Sequence, residues 1–146
     1  MSALPAFTVA HALDAYLAQA ATKPFSWPTH NCCHFVAGWV AQATGIDPMR
    51  GLPVTPDRRA AWRLIRRLGG SLAGAWTCQL DRAPIRHELA STGDIVLVHL
   101  APDDGAAVGI CNGRHVALLT EGEGLAMLPI AQARMAWRLR QPGAGE

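Results

Sequence analysis

Apolar positions recur every three or four residues in the first half of the chain, and alternate or run together in the second. Over residues 8–21, Val9, Leu13, Tyr16, Leu17 and Ala20 fall on one helical stripe, with Thr8 placed to cap its start and Lys23-Pro24 to stop it. Residues 31–44 predict a second helix. Asn31 is its cap, Phe35, Val36, Trp39, Val40 and Ala43 are its buried face, and Gly45 closes it. A third helix is expected from Thr55-Pro56-Asp57, in the order cap, proline and acid, to Leu68, with a stop at Gly69-Gly70. Its stripe is Ala61, Leu64, Ile65 and Leu68. Residues 72–80 add a short helix around Trp76.

After Gly93 the period changes. Residues 95–98, 106–111, 116–119 and 125–128 read as strands, the last two separated by Glu-Gly-Glu-Gly, a turn signal. Residues 135–140 alternate apolar and basic, as an edge strand does. Helices followed by an antiparallel sheet make the class α+β. We expect one domain over 1–140 and a short Gly- and Pro-rich tail, 141–146.

The chain has 146 residues, 50% hydrophobic and 16% charged, which excludes a disordered or fibrous chain. No apolar run approaches the roughly 18 residues of a membrane span, so none is expected. The first twenty residues carry no Lys or Arg and include Asp14, which is unlike a signal peptide and points to folding in the cytoplasm. A net charge of +2 does not call for nucleic acid. The basic residues are twelve Arg and one Lys. Arg58, Arg59, Arg63, Arg66 and Arg67 share the polar face of the third helix: either a solvated face, or a docking surface for an acidic partner with Arg59, Arg63 and Arg66 at its centre.

Four cysteines are present, two of them adjacent, and reduced thiols are expected. The run His30-Asn31-Cys32-Cys33-His34 is rich in metal-ligand types. Cys32 and His34 would nevertheless lie about 200° apart around a helix. No metal or cofactor is expected. Cys32 falls in the first turn of the second helix, where free backbone N–H groups and the dipole favour a thiolate. A nucleophilic cysteine also needs a base. Of the six histidines, His99 ends the first strand and His115 begins the third. Spacing does not choose between them.

The motifs around these positions carry a resemblance. Trp27-x-x-x-Asn31-Cys32-Cys33-x-Phe35-Val36 resembles the Trp-Gly-x-x-Asp-Cys-Ser-Gly-Phe-Val signature of NlpC-type cell-wall cysteine peptidases, with one extra residue before the Asn. Gly93-Asp94-Ile95-Val96 resembles their Gly-Asp-Leu-Val strand, and Ala107-Val108-Gly109-Ile110 stands where they have His-Val-Gly-Ile. Thr44-Gly45-Ile46-Asp47-Pro48, Gly69-Gly70 and Ala136-Trp137-Arg138 further resemble a phage and prophage tail-associated family of unknown function in this papain-like superfamily.

The resemblance implies a papain-like fold of N-terminal helices packed on a C-terminal sheet or half-barrel. It implies Cys32 as nucleophile and Trp27, Asn31 and Cys33 beside it. It places the chain in a bacterial cytoplasm and then in a virion tail, with other tail-tip proteins or peptidoglycan as partners. The departures are equally specific. The histidine position is Ala107, the third polar position near 117 is Ala117, the acid before the nucleophile is Asn31, and the glycine after Trp27 is Pro28. The expectation is therefore a tail-tip structural or assembly component on a degenerate scaffold. The alternative is an active peptidoglycan peptidase or amidase using Cys32 with His99 or His115.

Overall fold

The computed structural model describes residues 6–101 and 105–139. The tail at 141–146 lies outside the described residues. Among them, four helices precede the sheet: α1 (Ala6–Ala20), α2 (Cys32–Thr44), α3 (Arg58–Gly69) and α4 (Leu72–Leu80). The strands are β1 (Ile95–Ala101), β2 (Gly105–Asn112), β3 (His115–Thr120), β4 (Gly124–Pro129) and β5 (Ala133–Trp137). They form an antiparallel sheet in the order β4-β3-β2-β1-β5. The α+β class is as expected, and β5 stands at the edge predicted for it. Ile85 covers part of that edge by exchanging two backbone hydrogen bonds with Ala136, at 2.7 and 3.0 Å.

Two helix starts differ from the sequence reading. α1 begins at Ala6, so Thr8 lies inside it. α3 begins one residue after Asp57, whose carboxylate accepts from Ala60 N–H at 2.8 Å. Asp57, rather than Thr55, is the cap. Thr55 is buried, its hydroxyl turned to the Trp27 carbonyl at 3.5 Å.

One face of the sheet packs on the helices. Leu13, Phe35, Val36, Trp39, Ile95, Leu97, Val108, Ile110, Ala117 and Trp137 form this core. The other face carries a smaller cluster of Val96, Val98, Ala107, Cys111, Val116, Leu118 and Ala136, with Ile85, Ala90 and Ile130 packed against it. The core fixes α2 at its middle. Trp39 Nε1 donates to Gly93 O at 2.8 Å, and Gly93 has φ +95° between Trp39 and Val9. A side chain there is strained by its backbone and meets Val9 Cγ1 at 2.9 Å. Asp94 is buried and accepts from Ser91 N–H and Leu139 N–H at 2.8 and 3.0 Å, tying the entry of β1 to the chain after β5. The Gly-Asp motif is thus scaffold.

The same is true of Thr44 to Pro48. Thr44 Oγ1 donates to Val40 O at 2.7 Å, Gly45 caps α2 in the left-handed region, and Pro48 O accepts from Gln79 Nε2 at 2.6 Å. Trp137 is fully buried and its Nε1 donates to Thr77 Oγ1 at 3.1 Å, joining α4 to β5.

Candidate functional site

The N-terminus of α2 is organised by Asn31. Its Oδ1 accepts from Cys33 N–H and His34 N–H at 2.9 and 3.0 Å. His34 Nδ1 returns the favour by accepting from Asn31 N–H at 3.2 Å, which completes a capping box with histidine in the place of the usual Glu or Gln. Asn31 Nδ2 donates to Trp27 O at 3.0 Å. A carboxylate could not make that last bond, so the amide suits the local backbone as well as the helix end.

Cys32 is the first residue of α2. Its thiol is held below the ordinary cysteine value. The largest cause is a hydrogen bond with the Cys33 thiol; the N–H groups of Val108, Cys33 and Cys32 add to it, and burial opposes it. The partner thiol of Cys33 is pushed well up by the same hydrogen bond, then by burial and the Cys32 charge; contact with the Trp76 side chain works the other way. In this pair Cys32 is the more acidic thiol, because the helix end and the Val108 N–H favour its charged form.

Strand pairing explains why Val108 reaches the sulfur. β2 pairs with β1 from Gly105 to Ile110, but with β3 only at Ile110, Cys111 and Asn112. Cys111 exchanges its backbone bonds with Gly93 and Asp94, both at 2.8 Å, on the β1 side. By alternation Ala107 and Gly109 point the same way, and Val108 points toward the side where β3 has diverged. The N-terminus of α2 sits over this opening.

The opening is a cleft of about 330 Å³. Asn31, Cys32 and Cys33 lie at its base, with Ala106 and Ala107 from β2 and Leu118 to Gly122 from β3 and the following turn. Phe25 and Trp27 form one wall, edge to face with ring centroids 4.9 Å apart. Arg58, Trp62 and Ile65 of α3 form another. Trp27 Nε1 donates to Glu121 Oε2 at 3.0 Å, so the wall and the β3–β4 turn are joined.

Of the residues singled out in the sequence, Trp27, Asn31, Cys32 and Cys33 come together in this cleft. His99 and His115 do not line it, and neither does any other described histidine. His99 is exposed near the end of β1, opposite Ala106; its neighbour Leu100 lines the cleft, but His99 itself does not. His115 pairs with Asn112 at the closed β2–β3 turn and with Pro129. That is four residues from Val108, about 13 Å along the strand. Ala107 lines the cleft, whereas Ala117 is fully buried in the core. Arg59, Arg63 and Arg66 are exposed on α3, outside the lining. Arg58, Trp62 and Glu121 were not singled out as site residues. The only signal for the first two was their i, i+4 spacing on α3, and Glu121 gave none beyond its turn.

Residues 7–139 match the family described as a domain of unknown function, DUF6950, and the chain belongs to that family. Among solved structures the chain is similar to the NlpC/p60 domain of the peptidoglycan hydrolase SagA, at 18% identity and a TM-score of 0.53. The match covers 87% of this chain and 96% of that one. That likeness is one of fold. No curated protein matches the sequence. No described helix is long and apolar enough to cross a membrane.

Proposed function

We propose that this chain is a non-hydrolytic NlpC-type domain that serves as a structural or assembly component of a phage tail tip. One observation carries the catalytic part: the described lining of the Cys32 cleft contains no imidazole, and the wall position of the missing base is Ala107. Amide cleavage needs a general acid to protonate the leaving amine as well as a nucleophile. A thiolate alone supplies only the second. The tail-tip part rests on the ordered motifs from Trp27 to Arg138 that resemble the tail-associated family.

The test has two readouts. The chain is incubated with peptidoglycan stem peptides and the products are followed by mass spectrometry. No cleavage is expected, and turnover abolished by Cys32→Ser would overturn the non-hydrolytic reading. Particles from cells carrying the gene are then purified. The chain is expected in the tail fraction at fixed stoichiometry, and its recovery only as a free monomer would overturn the assembly role.

One observation favours a second reading, a peptidase using Cys32. The thiol is depressed in its titration and opens on a cleft large enough for a peptide side chain. SagA, of similar fold, is a peptidoglycan hydrolase. Turnover in the first readout would select this reading.

A further inference from the structure

We infer that the arginine face of α3 is a docking surface for an acidic segment of a protein partner, placed so that the bound segment reaches the mouth of the Cys32 cleft. The inference rests on the assembly role proposed above and names the chemistry of the partner.

α3 buries Ala61 and Leu64 and leaves Arg58, Arg59, Arg63, Arg66 and Arg67 exposed. Among the described residues none of the five is in an ion pair. The arrangement works against the helix itself. Arg59 and Arg63, and Arg63 and Arg67, are like charges one turn apart, and Arg63 and Arg66 are three residues apart. Arg58 and Arg59 occupy the first turn, where the helix dipole disfavours cations. Only Arg66 and Arg67, in the last turn, are favourably placed. Carboxylates of a partner would neutralise this repulsion, and the planar guanidinium binds them bidentately.

The setting favours protein over a phosphate polymer or a lipid surface. Val54 is 70% exposed just before α3, and Trp62 is half-buried between Arg58 and Arg66 along the helix. Arginine and tryptophan beside exposed aliphatic surface is the composition of a protein interface. A net charge of +2 gives no broad positive field of the kind that nucleic acid or an anionic membrane draws on. At 1.5 Å per residue the helix offers about 18 Å of surface, enough for a short acidic helix or strand. Arg58 and Trp62 also line the cleft, so a segment bound at the start of α3 covers its mouth.

The test measures binding of a labelled poly-L-glutamate peptide to the full chain at low and at physiological salt. Short duplex DNA and phosphatidylserine vesicles are run in parallel. The peptide is expected to bind in a salt-sensitive way and to slow alkylation of Cys32. The combined variant Arg59→Glu, Arg63→Glu, Arg66→Glu should weaken binding at least about tenfold. The combined Arg→Lys variant at the same sites should keep most of it. Circular dichroism checks that both variants fold. Absence of peptide binding, equal binding by the folded Glu variant, or tighter binding of DNA or vesicles would each overturn the inference. Recovery of the chain only as a free monomer would overturn the assembly role without altering these binding results, so the two failures are distinguishable.

Discussion

Trp27 Nε1 and Glu121 Oε2 meet at 3.0 Å across a sequence separation of 94 residues, and both residues line the cleft that holds Cys32. It is exposed, so it contributes little to stability; an exposed polar contact of this kind is worth about 0–1 kcal/mol. Its effect is on access. Glu121→Ala should leave the melting temperature nearly unchanged and speed alkylation of Cys32 several-fold. An unchanged rate would mean that the bond does not restrict the cleft.

Asn31 separates two roles, cap and neutral neighbour. Asn31→Ala removes the acceptor of two N–H groups at a buried helix start and should cost about 1–2 kcal/mol. Asn31→Asp keeps the acceptor, loses the Nδ2 bond to Trp27 O, and adds an anion beside Cys32. Its thiol should titrate higher and alkylate more slowly near neutral pH. Thermal melts and alkylation rates of the two variants test both halves. Faster alkylation in Asn31→Asp would contradict the electrostatic account.

Gly38 lets α1 approach α2. A Cβ there would collide with the hydroxyl of Tyr16, which donates to Phe35 O and whose titration is pushed by burial up to about 12. Gly38→Ala should destabilise the chain by about 1–3 kcal/mol despite its favourable helix propensity. A stabilised variant in denaturant unfolding would show that Tyr16 moves aside freely.

His34 makes stability depend on pH. Its titration is lowered, chiefly by burial and then by the charge of His30, against a smaller opposing effect of Asp47. Its Nδ1 must stay unprotonated to accept from Asn31 N–H. The folded value is below the ordinary one of about 6.5. Above about 6.5 both states are neutral and the capping box is intact. As pH falls through that value the unfolded chain takes up the proton first, and stability drops until the folded value is passed. His30 shifts in the same direction, by burial. Melting temperature should therefore fall from pH 7 to pH 5. His34→Gln, which restores a standard capping-box residue, should flatten part of that slope. An identical slope in the variant would assign the pH dependence elsewhere.

The helical half of the fold was legible because its signals are local. Asn31, Gly45 and the Gly69-Gly70 stop act on their own helices, and the structure uses each of them. Thr55 misled because two capping residues lie two positions apart; the one whose side chain met a free N–H was Asp57. The base of the cleft was legible for the same local reason, as Trp27 to Cys33 is one continuous segment. Its walls were not. Glu121 meets Trp27 only through the sheet order, and Arg58 and Trp62 reach the opening only because α3 packs beside it. His99 and His115 sat equally well on strand ends in the sequence. The β2–β3 register decides which end of the sheet is open, and no local pattern encodes that register.

The central claim is that Cys32 is a helix-end thiol of lowered titration without an imidazole partner. Its most direct test is the pH dependence of iodoacetamide alkylation at Cys32, read by mass spectrometry with Cys33, Cys78 and Cys111 as internal controls, for the wild type and for each histidine replaced in turn. The account predicts one ascending titration, placed below that of an ordinary thiol and unmoved by His99→Ala or His115→Ala. Fast labelling at acidic pH that disappears with one histidine would reveal a thiolate–imidazole pair and contradict it.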